Sequence, residues 1–188
     1  MIIPLLKAVA QHPDGDYPFN ELFSFLRKSN TDVLIAGGFV SRLISKRPMI
    51  VGDVDLYVPN DAERKKLIDY FMALETERGI MSIQLGSASN CKSGVDYNGI
   101  IAHNFGNVRI GNKQIDFQII ETDFTSPFDI FNTYDFTVCQ GAIDVFNYAI
   151  IASDNCKWDN LTKTLRYKKD PNPGRIEKYI NEGYQLVV

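Results

Sequence analysis

Leu34-Ile35-Ala36-Gly37-Gly38-Phe39-Val40, followed by Gly52-Asp53-Val54-Asp55-Leu56-Tyr57-Val58, decides how this chain is read. In an extended strand, residues two apart share a face. Asp53 and Asp55 therefore project to one side, while Val54, Leu56 and Val58 form the other, apolar side. Two neighbouring carboxylates repel, which raises a pKa and weakens the strand unless a cation or an opposite charge lies between them. A divalent metal is the natural partner, and all-oxygen ligands select Mg²⁺ or Mn²⁺ over zinc. On an ordinary edge strand the same pair is solvent-facing polar surface. A glycine pair is in the same way either a plain strand-to-helix turn or a place where a ligand approaches the backbone.

Working outward, Phe19 to Lys28 places Phe19, Leu22, Phe23, Phe25 and Leu26 near helical spacing, and Phe39 to Ser45 reads as a helix with Val40, Leu43 and Ile44 inward. Asp32 to Ala36 is a short β-rich run ending at the glycines. Asn60 caps an expected helix through about Leu74, with Asp61 and Glu63 in the first turn, where the helix dipole favours acids. Ile80 to Leu85 reads as a strand and Gly86 to Asn98 as a loop. Ile100 to Ile110 and Lys113 to Ile120 flank Gly111-Asn112, a hairpin signal. In the second of these strands Ile115, Phe117 and Ile119 share one face, which puts Asp116 with Gln118 on the other. Asp135 to Val145 reads as a buried strand followed by a helix through about Ala152. Pro171-Asn172-Pro173-Gly174 is a loop, then Arg175 to Glu182 is helical with Gly183 at the C′ position.

The expected fold is α/β, a mixed and mostly antiparallel central sheet with flanking helices. One domain covers residues 1–160, with a short C-terminal extension over 161–188 packed on it. At 188 residues the chain can bury a sizeable core. Apolar residues make up 45% and charged residues 23%, the composition of an ordinary globular protein. A net charge of -3 supplies no global basic field for long nucleic acid. Cys91, Cys139 and Cys156 lack C-x-x-C spacing, which argues against a disulfide framework or structural zinc and fits a reducing cytosol. With no signal-peptide pattern and no apolar run of membrane length, the expectation is a soluble, cytoplasmic protein.

The order of the glycine pair, the D-x-D strand and the lone Asp116 resembles the nucleotidyltransferase superfamily, specifically the polymerase-β-like head domain of poly(A) polymerases and CCA-adding enzymes. Gly37-Gly38-Phe39-Val40 is similar to that family's G-G-x-V opening. Arg47-Pro48 with Gly52-Asp53-Val54-Asp55 is similar to its R-P-x-x-D-I-D continuation. Tyr134-Asp135-Phe136-Thr137-Val138 resembles its R-D-F-T-I-N segment, and Arg175 to Ile180 loosely resembles a later arginine-bearing helix. Ser41 and Arg42 stand where the family has an arginine and an aspartate, and Tyr134 replaces the arginine before D-F-T. What remains of the chain leaves no room for the helical neck and body that grip tRNA.

The resemblance implies transfer of a nucleoside monophosphate from an NTP such as ATP to a hydroxyl acceptor, with pyrophosphate leaving and Mg²⁺ or Mn²⁺ as cofactor. Asp53, Asp55 and Asp116 would be the metal ligands and catalytic carboxylates. Gly37 and Gly38 would let the backbone approach the triphosphate, Arg42, Lys46 and Arg47 would contact phosphates, and Asp135 would lie near the sugar or base. Each also has a plain reading: Asp116 as a solvent-facing strand residue, the three cations as a solvated helix face, and Asp135 as a helix cap or the partner of a lysine. The acceptor is open among RNA, a protein side chain, a nucleotide and a small molecule. A rival reading is a catalytically weak nucleotide-binding or interaction module that keeps the fold. His12 and His103 are given no role, Cys139 reads as a core residue, and Phe124, Phe128, Phe131, Tyr134 and Phe136 read as core, with stacking of one ring on a nucleobase as the alternative. Lys163, Arg166, Lys168, Lys169, Arg175 and Lys178 form a basic tail that is either solvated surface or a modest site for RNA or triphosphate.

Overall fold

The glycine turn and the Asp-Val-Asp segment lie at the centre of a seven-stranded sheet in the computed structural model, which describes residues 1–50, 53–78, 102–168, 171 and 173–187. Its strands are β1 (Ile2–Pro4), β2 (Leu34–Ala36), β3 (Val54–Tyr57), β4 (Ala102–Ile110), β5 (Lys113–Ile120), β6 (Gly141–Asp144) and β7 (Ala149–Ala152), in the order β1-β7-β6-β2-β3-β5-β4. Every pairing is antiparallel except β3 with β5, which is parallel. The helices are α1 (Leu5–Ala10), α2 (Phe19–Arg27), α3 (Gly38–Ser45), α4 (Asp61–Arg78), α5 (Pro127–Thr133), α6 (Asp154–Thr162) and α7 (Pro173–Asn181). Two short strands, β8 (Thr164–Leu165) and β9 (Gln185–Leu186), pair in parallel apart from the main sheet.

Strand alternation divides the core into two clusters. Ile35, Val54, Leu56, Phe117 and Ile119 face one cluster, which Leu22, Phe23 and Leu26 of α2 and Leu67 and Phe71 of α4 complete. Leu34, Ala36, Tyr57 and Ile120 face the other, beneath Ile130 and Phe131 of α5, Phe136, Cys139 and the tyrosines Tyr179 and Tyr184. Burying one such Leu, Ile or Phe side chain stabilises by roughly 1.5–3 kcal/mol, so both faces of this sheet are committed to packing. Asp53 and Asp55 belong to the second face, because they alternate with Val54 and Leu56. No described helix is long and apolar enough to cross a membrane.

The helices over Phe19–Arg27 and Gly38–Ser45 and the hairpin at Gly111-Asn112 form as expected, and the Asn60 side chain accepts the Glu63 N–H at 3.0 Å to cap α4. The expected helix through Ala152 is corrected: that stretch is β7. The Asp144 carboxylate accepts the Asn147 N–H and side-chain amide at 2.9 and 2.8 Å, and Tyr148 takes φ 50°, which turns the chain back as a hairpin. The apolar run before it is not one strand either, since a 3₁₀ turn at Thr137–Cys139 interrupts it ahead of β6. Helix α5 carries a capping box, with Ser126 at the N-cap, Asp129 at N3 and Pro127 between, and α6 starts at Ser153, whose hydroxyl accepts the Cys156 N–H. The expected Ile80–Leu85 strand and Gly86–Asn98 loop fall outside the described residues.

Candidate functional site

Register places the carboxylates. Val54 pairs with Phe117 and Asp55 with Gln118 across the parallel β3–β5 ladder. Parallel partners point to the same side, so Asp116, one residue before Phe117, is level with Asp53 on the face that carries Asp55. The Asp116 carboxylate lies over β4, where a Cβ on Gly106 would meet its Oδ1 at 3.5 Å. Partial burial pushes the Asp53 carboxyl above its ordinary value; the Lys178 ammonium pulls it down and Asp116 pushes it up again. Two like charges therefore sit side by side at the N-terminal end of the parallel pair, with one cation of α7 nearby.

Asp55 lies beside the glycine turn. Ala36 pairs with Asp55, and Gly37 follows with φ 75° and ψ -139°, a backbone state open to glycine but strained for other residues. A Cβ there would come within 2.6 Å of Asp55 Oδ2 and 3.2 Å of Tyr134 Oη, so space as well as φ demands glycine. Gly38 begins α3 with no atom within 4 Å of an added Cβ, which leaves its backbone open to an approaching group. The first turn of α3 has no side-chain cap, so its N–H groups favour an anion there. Tyr134, buried at the end of α5, donates its hydroxyl to Tyr57 Oη at 3.0 Å.

The remaining expected contacts sit elsewhere. Arg42 and Arg47 both pair with Glu182, just beyond α7. Arg47 also donates to the Ser41 and Ser45 hydroxyls at 2.8 and 2.7 Å, and its guanidinium lies 5.0 Å from the Tyr184 ring. These contacts join α3 to the C-terminal segment. Lys46 is exposed, at the left-handed end of α3 with φ 55°. Asp135 is buried; one of its oxygens accepts the Phe136 N–H at 3.0 Å and the other accepts Arg175 Nη1 at 2.9 Å. Tyr134 and Glu182 are residues that sequence reasoning did not place here, whereas Lys178 belongs to the basic tail read there as solvated surface or a modest site for RNA or triphosphate.

A hard divalent cation fits the donor chemistry and the shared face of Asp53, Asp55 and Asp116. Their side chains are not drawn together: among the described residues, no three His, Cys, Asp or Glu side chains form a metal-holding group. Asp53 and Asp116 act on one another, whereas Asp55 lies against the Gly37 turn.

Strand order, glycine turn and carboxylate face together define a nucleotidyltransferase-type fold, and solved structures agree. The CCA-adding enzyme of Thermotoga maritima complexed with tRNA superposes with a TM-score of 0.63 over 100% of this chain and 43% of its own, at 16% identity. A CCA-adding enzyme in complex with ATP gives 0.63 over the same shares at 16% identity. The Bacillus stearothermophilus CCA-adding enzyme in complex with CTP gives 0.53 over 91% of this chain and 41% of its own, also at 16%. At such identity the likeness establishes the fold. The chain belongs to the Gabija anti-defense 2 family, whose model matches residues 13–163. A curated relative, Gabija anti-defense 2 of Bacillus phage SPbetaL7, is 22% identical over 179 residues, covering 89% of this chain and 39% of that protein. The chain thus spans less than half the length of this relative and of these enzymes.

Proposed function

We propose that this chain is a metal-dependent nucleotidyltransferase that moves a nucleoside monophosphate from an NTP to a hydroxyl acceptor, releasing pyrophosphate, and that this transfer is its part in countering Gabija defence. The observation that carries the reading is the register that sets Asp53 level with Asp116 on the face of Asp55, whose own carboxylate lies beside the Gly37 turn that leads into the uncapped start of α3. Asp53, Asp55 and Asp116 would hold Mg²⁺ or Mn²⁺, which when bound neutralises phosphate charge and lowers the pKa of the acceptor hydroxyl. Gly38 gives the triphosphate room at the backbone, Gly37 supplies the positive-φ turn that leads into α3, and the first N–H groups of α3 would donate to the phosphate oxygens. Lys178, already within electrostatic reach of Asp53, offers a positive charge at the same mouth. Asp116, at the β4 side, is placed to take the proton of the attacking hydroxyl.

A second reading, nucleotide binding without transfer, is favoured by one observation: Arg42 and Arg47, the expected phosphate contacts, are engaged by Glu182. Thermal melts with ATP, GTP, CTP and UTP, each with Mg²⁺ or EDTA, test the ligand. Ligand at about 100 times its Kd stabilises by roughly 2.7 kcal/mol, which here is a rise of several degrees. The proposal expects that rise with Mg²⁺ and none in EDTA, because bare phosphates would then meet three uncompensated carboxylates. No shift with any of the four leaves the transferase without a substrate.

A further inference from the structure

We infer that Tyr134 is a positioning residue that sets the Asp55 carboxylate against the Gly37 turn; its bearing on metal binding rests on the role proposed above for Asp55. Three observations converge. Asp55 Oδ2 and Tyr134 Oη crowd the same point beside the Gly37 backbone, 2.6 and 3.2 Å from where a Cβ would sit. Tyr57, two residues beyond Asp55 and therefore on the same face, accepts the Tyr134 hydroxyl at 3.0 Å, which ties Tyr134 to the strand that carries Asp55. Tyr134 itself is fixed, because it ends α5 and packs in the second core cluster with Ile130, Phe131 and Phe136.

This tyrosine stands where the resembled family carries an arginine. An arginine would bring a full positive charge beside Asp55, whereas a phenol brings a neutral hydroxyl on a rigid ring. The Tyr134 hydroxyl gives its one proton to Tyr57 Oη, so it meets Asp55 as a neutral group held in place by packing. The consequence is a division of the acid face. Asp55 is kept on the side of the glycine turn, where the triphosphate would lie, while Asp53 and Asp116 remain paired on the side of β5.

The test combines Tyr134→Phe, Asp55→Asn and the double variant, melted in EDTA, with uptake of Mn²⁺ followed by the loss of the free-ion spin-resonance signal. Tyr179→Phe is the control: its hydroxyl is equally buried in the same cluster but contacts the Cys139 thiol at 2.9 Å. The expected result is that the melting losses of Tyr134→Phe and Asp55→Asn fail to add, as for residues in contact. Tyr134→Phe should also need about tenfold more Mn²⁺ for half-uptake, the usual scale for losing a group that orients a ligand, while Tyr179→Phe loads like the unmodified protein. Additive losses in EDTA overturn the assignment, and so does a Tyr134→Phe protein that loads at the unmodified concentration. If the unmodified protein takes up no Mn²⁺, the metal reading fails, and the metal-free cycle still decides whether Tyr134 sets Asp55.

Discussion

Replacing Glu182 by alanine should unfasten the C-terminal segment from α3. Its carboxylate is the shared partner of Arg42 and Arg47, with side chains 20%, 14% and 9% exposed respectively. Removing one partner of a buried pair strands the other charge, at a cost of about 3–5 kcal/mol when burial is complete. Glu182 is a fifth exposed, and Arg47 keeps the Ser41 and Ser45 hydroxyls and the face of Tyr184, so a fraction of that cost is avoided. A loss of roughly 2–3 kcal/mol follows. At about 2–4 °C per kcal/mol for a chain of this size, the melting temperature should fall by roughly 4–12 °C. Calorimetry in EDTA at neutral pH measures it. Glu182→Gln, which keeps the shape and a hydrogen-bonding oxygen, should fall between the two. A drop of less than about 1 °C for Glu182→Ala would refute the account, because a surface ion pair contributes that little.

Gly37→Ala should destabilise strongly and lower the melting temperature by several degrees, since φ 75° and the 2.6 Å approach of Asp55 both oppose a Cβ. Gly38→Val should leave the unliganded melt within a degree or two, because its Cβ meets open space, yet abolish most of any nucleotide-induced rise. Asp53→Asn should melt slightly higher than the unmodified protein in EDTA at pH 7. With its folded pKa raised, the native state holds the Asp53 proton longer than the unfolded chain, so the stability contribution of Asp53 falls as pH rises from about 4 through that raised value. The Asn variant escapes the loss, and the two curves should meet in acid; a variant that melts lower at pH 7 and equal at pH 4 contradicts the shift. Solvent screening at this exposed position keeps the difference to about 0.2–1 kcal/mol.

Much of this arrangement is legible in the chain itself. Alternation along Asp53 to Val58 and Ile115 to Ile119, with Gly111-Asn112 between β4 and β5, places three carboxylates on one face without any knowledge of tertiary contacts. What escapes is long-range. The pairing of Arg42 and Arg47 with Glu182 spans 140 and 135 residues, and local charge patterning carries no trace of it. The approach of Lys178 to Asp53 and of Asp135 to Arg175 likewise depends on α7 returning to the second face. The hairpin at 141–152 escapes for a local reason: two apolar strands joined by four residues present the same composition as a strand followed by a buried helix. There the turn chemistry of Asp144 and Asn147 decides, rather than periodicity.

The central claim is nucleotidyl transfer by the carboxylate face, and label tracing tests it most directly. The pure protein is incubated with Mg²⁺ or Mn²⁺, an acceptor pool of cell lysate or total RNA, and each NTP labelled in turn at the α- or the γ-phosphate. The account predicts that α-label enters an acceptor while γ-label leaves as pyrophosphate, and that Asp55→Asn abolishes both. Acceptor labelling from the γ-phosphate, labelling that Asp55→Asn retains, or no transfer of α-label from any of the four NTPs would contradict it.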